Sequence, residues 1–186
     1  MKKAKVILIP TISLFIICMV ATALLALTNK VTLPKIEEIN MEIAAESRKQ
    51  VLPEATSFEK KNADGVGEYY IGLDKDKNIV GYVFTCPGTN KGYGGVVEVM
   101  TGIDKEGKVT GVNPITLNET PGLGMNAAKD TFKNQFKGKS GELEVIKSAP
   151  KDNQIQALTS ATVTSRAFTS SVNAALENYE KIGGQN

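Results

Sequence analysis

Apolar positions fall along this chain in three regimes. Residues 6–27 are almost continuously apolar, broken only by Pro10, Thr11, Ser13 and Thr22. A run of 22 residues is long enough to cross a hydrocarbon layer of about 30 Å as a helix. Pro10 falls in the first turns, where a missing N–H costs least. In the second regime the period becomes helical: Ile36, Ile39 and Ile43 share one face of a helix predicted over residues 34–52 and ended by Pro53. Residues 59–67 are polar and read as a loop or boundary. The third regime alternates. Strands are predicted over residues 68–73, 79–85, 96–103 and 109–117, with another short one at 142–146.

The four longer strands form two matching hairpins. Gly72, Asp74, Lys75, Asp76, Ile79 and Gly81 recur thirty residues on as Gly102, Asp104, Lys105, Glu106, Val109 and Gly111. Both turns have Asp first and Asn or Gly near the end. Two helices are predicted to follow, one burying Met125, Ala128, Phe132 and Phe136, the other Phe168, Val172, Ala175, Leu176 and Tyr179. The expected fold class is α+β: an antiparallel sheet built from a duplicated hairpin, with packed helices, preceded by one N-terminal transmembrane helix. The expected organisation is a cytoplasmic tip and anchor over 1–29, a stalk helix and linker over 30–58, and an extracytoplasmic domain over 59–186.

Charge sharpens the membrane reading. Lys2, Lys3 and Lys5 precede the apolar run, and no acidic residue occurs before Glu37. Lysines on that flank predict a cytoplasmic N-terminus, a single pass and a main domain outside the cytoplasm. A signal peptide has a shorter apolar core and a small-residue cleavage site, whereas the exit here is Leu25-Ala26-Leu27-Thr28-Asn29-Lys30. Without the three lysines the chain has 19 basic and 20 acidic residues, a net of −1, so no nucleic-acid footprint is present. Histidine and tryptophan are absent. The two cysteines are Cys18, inside the anchor, and Cys86, in the domain, so no disulfide framework or zinc cluster is expected. Cys86 reads as a small buried hydrophobe. Neither a metal nor a catalytic acid–base set is assigned, and redox chemistry would need an organic cofactor.

Three segments carry candidate chemistry. Lys91-Gly92-Tyr93-Gly94-Gly95 and Asn118-Glu119-Thr120-Pro121-Gly122-Leu123-Gly124 are glycine-rich loops that let backbone approach a ligand. Each alone is an ordinary turn, and neither matches a P-loop or dinucleotide fingerprint. The third, Thr159-Ser160-Ala161-Thr162-Val163-Thr164-Ser165, bears a hydroxyl at five of seven positions and opens the last helix. Its ordinary reading is an N-cap. Its other reading is an anion site on the free N–H groups of a helix start.

In this order, "GYGGVVEVMTGIDKEGKVTGV", "NETPGLG" and "TSATVTS" resemble the FMN-binding domain family. The nearest branch is the G subunits of Rnf-type ion-translocating electron-transport complexes. The C subunits of the sodium-translocating NADH:quinone reductase are related. The resemblance spans about residues 92–176. It implies FMN esterified through its phosphate to Thr162, installed from FAD by a separate flavin transferase with magnesium. It also implies electron relay in a redox-driven ion pump, among other membrane subunits. Ser160 and Ala161 belong to the attachment motif, and Thr164 and Ser165 are candidate phosphate contacts. Tyr93, Gly94 and Gly95, with Glu119, Thr120, Pro121, Gly122, Leu123 and Gly124, are candidate ring and ribityl contacts. The chain departs from the family pattern in having Ser160 for a glycine, Gln156 for a frequent Asp and Leu117 for a common histidine. Two other readings stay open: a flavin domain in a different extracytoplasmic electron route, and a cofactor-free tethered binding module.

Overall fold

In the computed structural model, which describes residues 2–183, the opening helix α1 runs unbroken from Lys2 to Val51. The sequence pattern restarts a helix at Pro34, but the observed helix passes through both Pro10 and Pro34. Its apolar part has an 18-residue stretch of mean hydropathy 2.5, none of it buried in the protein, and is long and apolar enough to cross a membrane. Thr11, Thr28 and Thr32 each donate to the carbonyl four residues back, at 2.9 Å. Those bonds satisfy hydroxyls that would otherwise be costly in an apolar setting. Two compact units divide within α1, one up to Ile43 and one from Ala44 onward.

The second unit is organised by a five-stranded antiparallel meander: β1 (Ser57–Ala63), β2 (Gly67–Leu73), β3 (Ile79–Gly92), β4 (Gly95–Asp104) and β5 (Val109–Thr116). Strands β2 to β5 are the two predicted hairpins. The sequence pattern reads β1 as loop because five of its seven residues are exposed. It is an edge strand carrying Lys60 and Lys61, a composition that discourages pairing with another chain. Lys60 pairs across to Glu68 at 2.7 Å.

Strand alternation gives the sheet two buried faces. Tyr82, Phe84, Val97, Val99 and Ile103 pack in one cluster with α3 (Thr162–Lys181), through Phe168, Val172, Ala175 and Leu176. Tyr179, expected on the same face, sits at its edge, its hydroxyl donating to Lys105 O at 2.8 Å. Val83 and Met100 face the other way and pack with Val51, Leu52 and Ala55. There the repeated glycines of the duplicated hairpin form a floor. A Cβ on Gly72 would lie 2.4 Å from Leu52, on Gly81 2.9 Å from Leu52, on Gly102 2.2 Å from Val51 O, and on Gly111 3.0 Å from Val51 Cα. Thr110 Oγ1 donates to Val51 O at 2.5 Å, and Asn113 donates to Ser47 Oγ at 2.9 Å. The last turns of α1 thus sit directly on sheet backbone.

The single helix expected around 125–136 is three short pieces: a 3-10 turn Gly124–Ala128, α2 (Asp130–Lys133) and a second 3-10 turn Asn134–Phe136. Ala127, Phe132 and Phe136 are buried, whereas Met125 is exposed. Phe132, Phe136 and Phe168 form a triad with centroids 5.4–5.5 Å apart. The predicted strand near 142–146 is β6 (Glu144–Ile146), which pairs in parallel with an unforeseen β7 (Gln154–Gln156). Three residues with one apolar centre leave too short a pattern to read.

Both hairpin turns are built by their leading Asp. Asp74 Oδ1 accepts from the amides of Asp76 and Asn78, both at 2.8 Å, and Asp104 Oδ1 from those of Glu106 and Lys108. Lys77 (φ 63°) and Gly107 (φ 80°) take the same left-handed corner. The hydrogen bonds from the Asn78 backbone and side chain hold the Asp74 carboxyl below its ordinary 3.8. A lowered native pKa means that this contribution is complete above the ordinary value and disappears as pH falls through the native one. Acid titration followed by the Asp76 and Asn78 amide resonances is therefore expected to show a midpoint below 3.8. A midpoint at or above that value would contradict the turn geometry.

Candidate functional site

Where β3 meets β4, the pair Gly92–Gly95 closes the ladder and leaves Tyr93 and Gly94 as a two-residue turn. Gly95 has φ 110°, open only to glycine at little cost. Tyr93 is thrown outward and is 79% exposed. α3 reaches this end of the sheet because small residues line its inner face. Ser171 Oγ accepts from the Val99 amide at 3.0 Å and donates to Cys86 O, and Ser170 Oγ accepts from the Asn90 amide at 3.2 Å. A Cβ on Gly88 would lie 2.5 Å from Ala167 O, so helix and strand touch through backbone.

The start of α3 decides between the two readings of the hydroxyl run. The N-cap is Ala161, which makes no side-chain cap bond. Thr162 is the first helical residue and half-buried. Ser165 is fully buried; its hydroxyl donates to Ala161 O at 3.0 Å and accepts from the Leu158 amide at 2.9 Å. Thr164 is also fully buried and donates to Glu119 Oε2 at 2.9 Å. Ser165 therefore braces the turn before the helix and Thr164 ties the helix to Glu119, and neither caps it. Among the described residues no side chain caps the first N–H groups of α3, at the positive end of a 20-residue helix. Ser160, which replaces the glycine of the resembled pattern, stands exposed at φ 60°. That left-handed corner explains why glycine suits the position and costs a serine about 1 kcal/mol.

Three segments distant in sequence meet around one cleft of about 290 Å³. It is lined by Tyr93, Glu119, Thr120, Leu123, Gly124, Ser160, Ala161 and Thr164. Thr162 is the chain neighbour of lining Ala161 but is not itself among the lining residues. Gly94 reaches the site through its amide, which donates to Glu119 Oε1 at 3.2 Å. Gly95, Pro121, Gly122 and Ser165 do not line the cleft. Sequence reasoning places Gly92 and Asn118 in the two loops but gives them no role: a Cβ on Gly92 would lie 2.0 Å from Glu119 Oε1, and one on Gly94 1.3 Å from Asn118 O. The glycine spacing marks a close approach but not what approaches.

The donor set suits a flavin mononucleotide. Tyr93 and Leu123, 79% and 43% exposed, offer apolar surface for a ring. The uncapped helix start offers N–H groups to a phosphate. Among the described residues no group of three or more His, Cys, Asp or Glu side chains could hold a metal ion. Cys86 is buried, accepts from Asn178 at 3.4 Å, and has its thiol pushed up to about 11 by burial, so it is no nucleophile at neutral pH. Leu117, at the position of the common histidine, is half-buried and supplies no proton-transfer group.

Residues 92–177 match the family described as FMN-binding domain. The G subunit of the Na+-translocating ferredoxin:NAD+ oxidoreductase complex of Acetobacterium woodii is 42% identical, over 91% of this chain and 89% of its own. The G subunit of the proton-translocating ferredoxin:NAD+ oxidoreductase complex of Clostridium ljungdahlii is 34% identical, over 94% and 92%. Among solved structures, NqrC of Shewanella oneidensis superposes with a TM-score of 0.55 at 19% identity, over 75% of this chain and 72% of that one, a likeness of fold.

Proposed function

The chain belongs to the family of G subunits of ion-translocating oxidoreductase complexes, and we propose that it relays electrons in such a complex through FMN joined covalently to Thr162. The observation that carries this reading is the uncapped start of α3 beside the cleft, with Thr162 as its first residue. The attachment exchanges the AMP half of FAD for a protein oxygen. A bond forms between Thr162 Oγ1 and the FMN phosphorus, the bond from that phosphorus to AMP breaks, and the hydroxyl proton leaves. A flavin transferase with magnesium supplies the catalysis.

Once bound, FMN supplies one- and two-electron transfer. The remaining work belongs to the chain. The free N–H groups of α3 and its dipole favour the phosphate charge, an effect of about 0.3–1 kcal/mol for the dipole alone. Tyr93 and Leu123 would hold the ring, in the cleft that Thr120 and Gly124 also line. Lys2, Lys3 and Lys5 keep the N-terminus in the cytoplasm, which puts the cleft on the other side of the membrane, where a covalent tether prevents loss of the flavin. The two relatives above are named for different ions, so family membership leaves the coupling ion open.

Affinity purification of the full chain from membranes of its native host is expected to bring other membrane subunits with it, and a flavin that survives denaturation. A chain recovered alone and colourless would overturn the reading. Recovery alone but with flavin would favour a different extracytoplasmic electron route.

A further inference from the structure

We infer that Glu119 is the positioning residue of the cleft: its buried carboxylate fastens the Gly92–Gly95 turn and the first turn of α3 to the loop 118–124. The inference rests on the cleft being the flavin site, but it concerns contacts within the chain. Glu119 is only 9% exposed, and both of its oxygens are used inward. Oε1 accepts from the Gly94 amide at 3.2 Å and Oε2 from the Thr164 hydroxyl at 2.9 Å. One side chain from the loop thus reaches both other walls of the site.

The surrounding glycines give the same answer independently. A Cβ on Gly92 would lie 2.0 Å from Oε1, and one on Gly124 2.6 Å from Oε2 and 2.7 Å from Thr164 Oγ1. Space around this carboxylate is kept free by residues without side chains. Gly92 and Gly124 therefore make room for Glu119 itself. Through the two bonds, Glu119 sets the separation between Tyr93 on the hairpin turn and Ala161–Thr164 at the helix start.

Glutamine in place of Glu119 preserves both links, since its carbonyl can accept from Gly94 and its amide can donate to Thr164 Oγ1. Aspartate is one methylene too short to reach both, and alanine reaches neither. The full chain, made without the transferase and held in detergent, is compared as wild type, Glu119→Gln, Glu119→Asp and Glu119→Ala. Hydrogen exchange at the Gly94 amide is expected to be slow in wild type and Gln, and about tenfold or more faster in Asp and Ala. The Val99 amide, held by Ser171, should be unchanged in all four. Transferase, FAD and magnesium are then added. The initial rate of flavin attachment is expected to follow the same order, with rescue by Gln. Unchanged Gly94 exchange in the Ala variant, or a Gln variant no better than Ala, would overturn the inference. If wild type takes up no flavin, the cofactor reading falls, while the exchange measurement still decides the role of Glu119.

Discussion

Thr162→Ala is expected to give a chain that folds as the parent does and carries no covalent flavin. The two halves of that result come from different features. Thr162 opens α3 with a half-buried side chain whose hydroxyl makes no hydrogen bond among the described residues. Alanine is the better helix former, so stability should change by no more than about 0.5 kcal/mol. The phosphoester, in contrast, needs an alcohol at this one position. Thr164 and Ser165 cannot substitute, because both are buried with their hydroxyls engaged by Glu119, Ala161 and Leu158. Fluorescence of the denatured chain on a gel, together with a thermal melt, reads both halves. Thr162→Ser should keep its flavin. If Thr162→Ala keeps flavin, the attachment site is elsewhere. If it fails to fold, the helix start depends on Thr162 in a way that its geometry does not contain.

Gly102→Ala is expected to cause a large loss of stability without touching the cleft. The new methyl would lie 2.2 Å from Val51 O, 2.6 Å from Thr110 Oγ1 and 2.7 Å from the Val51 carbonyl carbon. Two of these are backbone atoms of the last turn of α1, which cannot rotate aside as a side chain would. Either the helix end lifts off the sheet, losing the bond from Thr110 to Val51 and the packing of Val51 and Leu52, or the strand bends. Overpacking of this kind costs about 3 kcal/mol. For a domain of this size that lowers the melting temperature by roughly 10 °C. Gly111→Ala, whose nearest contact is 3.0 Å, is the matched comparison and should cost about 1 kcal/mol. The measurement is thermal unfolding of the full chain in detergent. Equal melting temperatures for the two variants would contradict the glycine floor.

The sequence exposed the parts of this fold that rest on repetition or a strong period. The thirty-residue echo of Gly72–Gly81 in Gly102–Gly111 marked two hairpins, and both are present in one sheet. The stripe Phe168, Val172, Ala175 and Leu176 marked the buried face of α3. β1 stayed hidden because an edge strand in water carries lysines and glutamates on both faces, which is also how a loop reads. The 125–136 region stayed hidden for another reason. Met125 and Phe132 stand at helical spacing, but the chain turns between them at Ala128 and Lys129, so one is exposed and the other buried.

The site was legible as three motifs but not as a geometry. That Tyr93, Glu119, Leu123 and Ser160 would line one cleft followed from no local pattern; it is a consequence of the meander bringing the β3–β4 turn and the loop after β5 to the start of α3. The role of Glu119 was least legible. A glutamate between Asn118 and Thr120 looks like a solvated loop residue or a ligand contact, and only burial shows it turned inward on Gly94 and Thr164. Likewise a run rich in Ser and Thr before a helix reads first as a cap, yet the cap position falls on Ala161. That offset by one residue is what leaves the helix start free.

Peptide mass spectrometry of the chain purified from its native host tests the central claim most directly. The peptide containing Thr162 should be heavier than its sequence by one FMN less one water, and fragmentation should place that mass on the Thr162 oxygen. An unmodified Thr162 peptide from fully matured material, or a flavin mapped to Ser160 or any other residue, would contradict it.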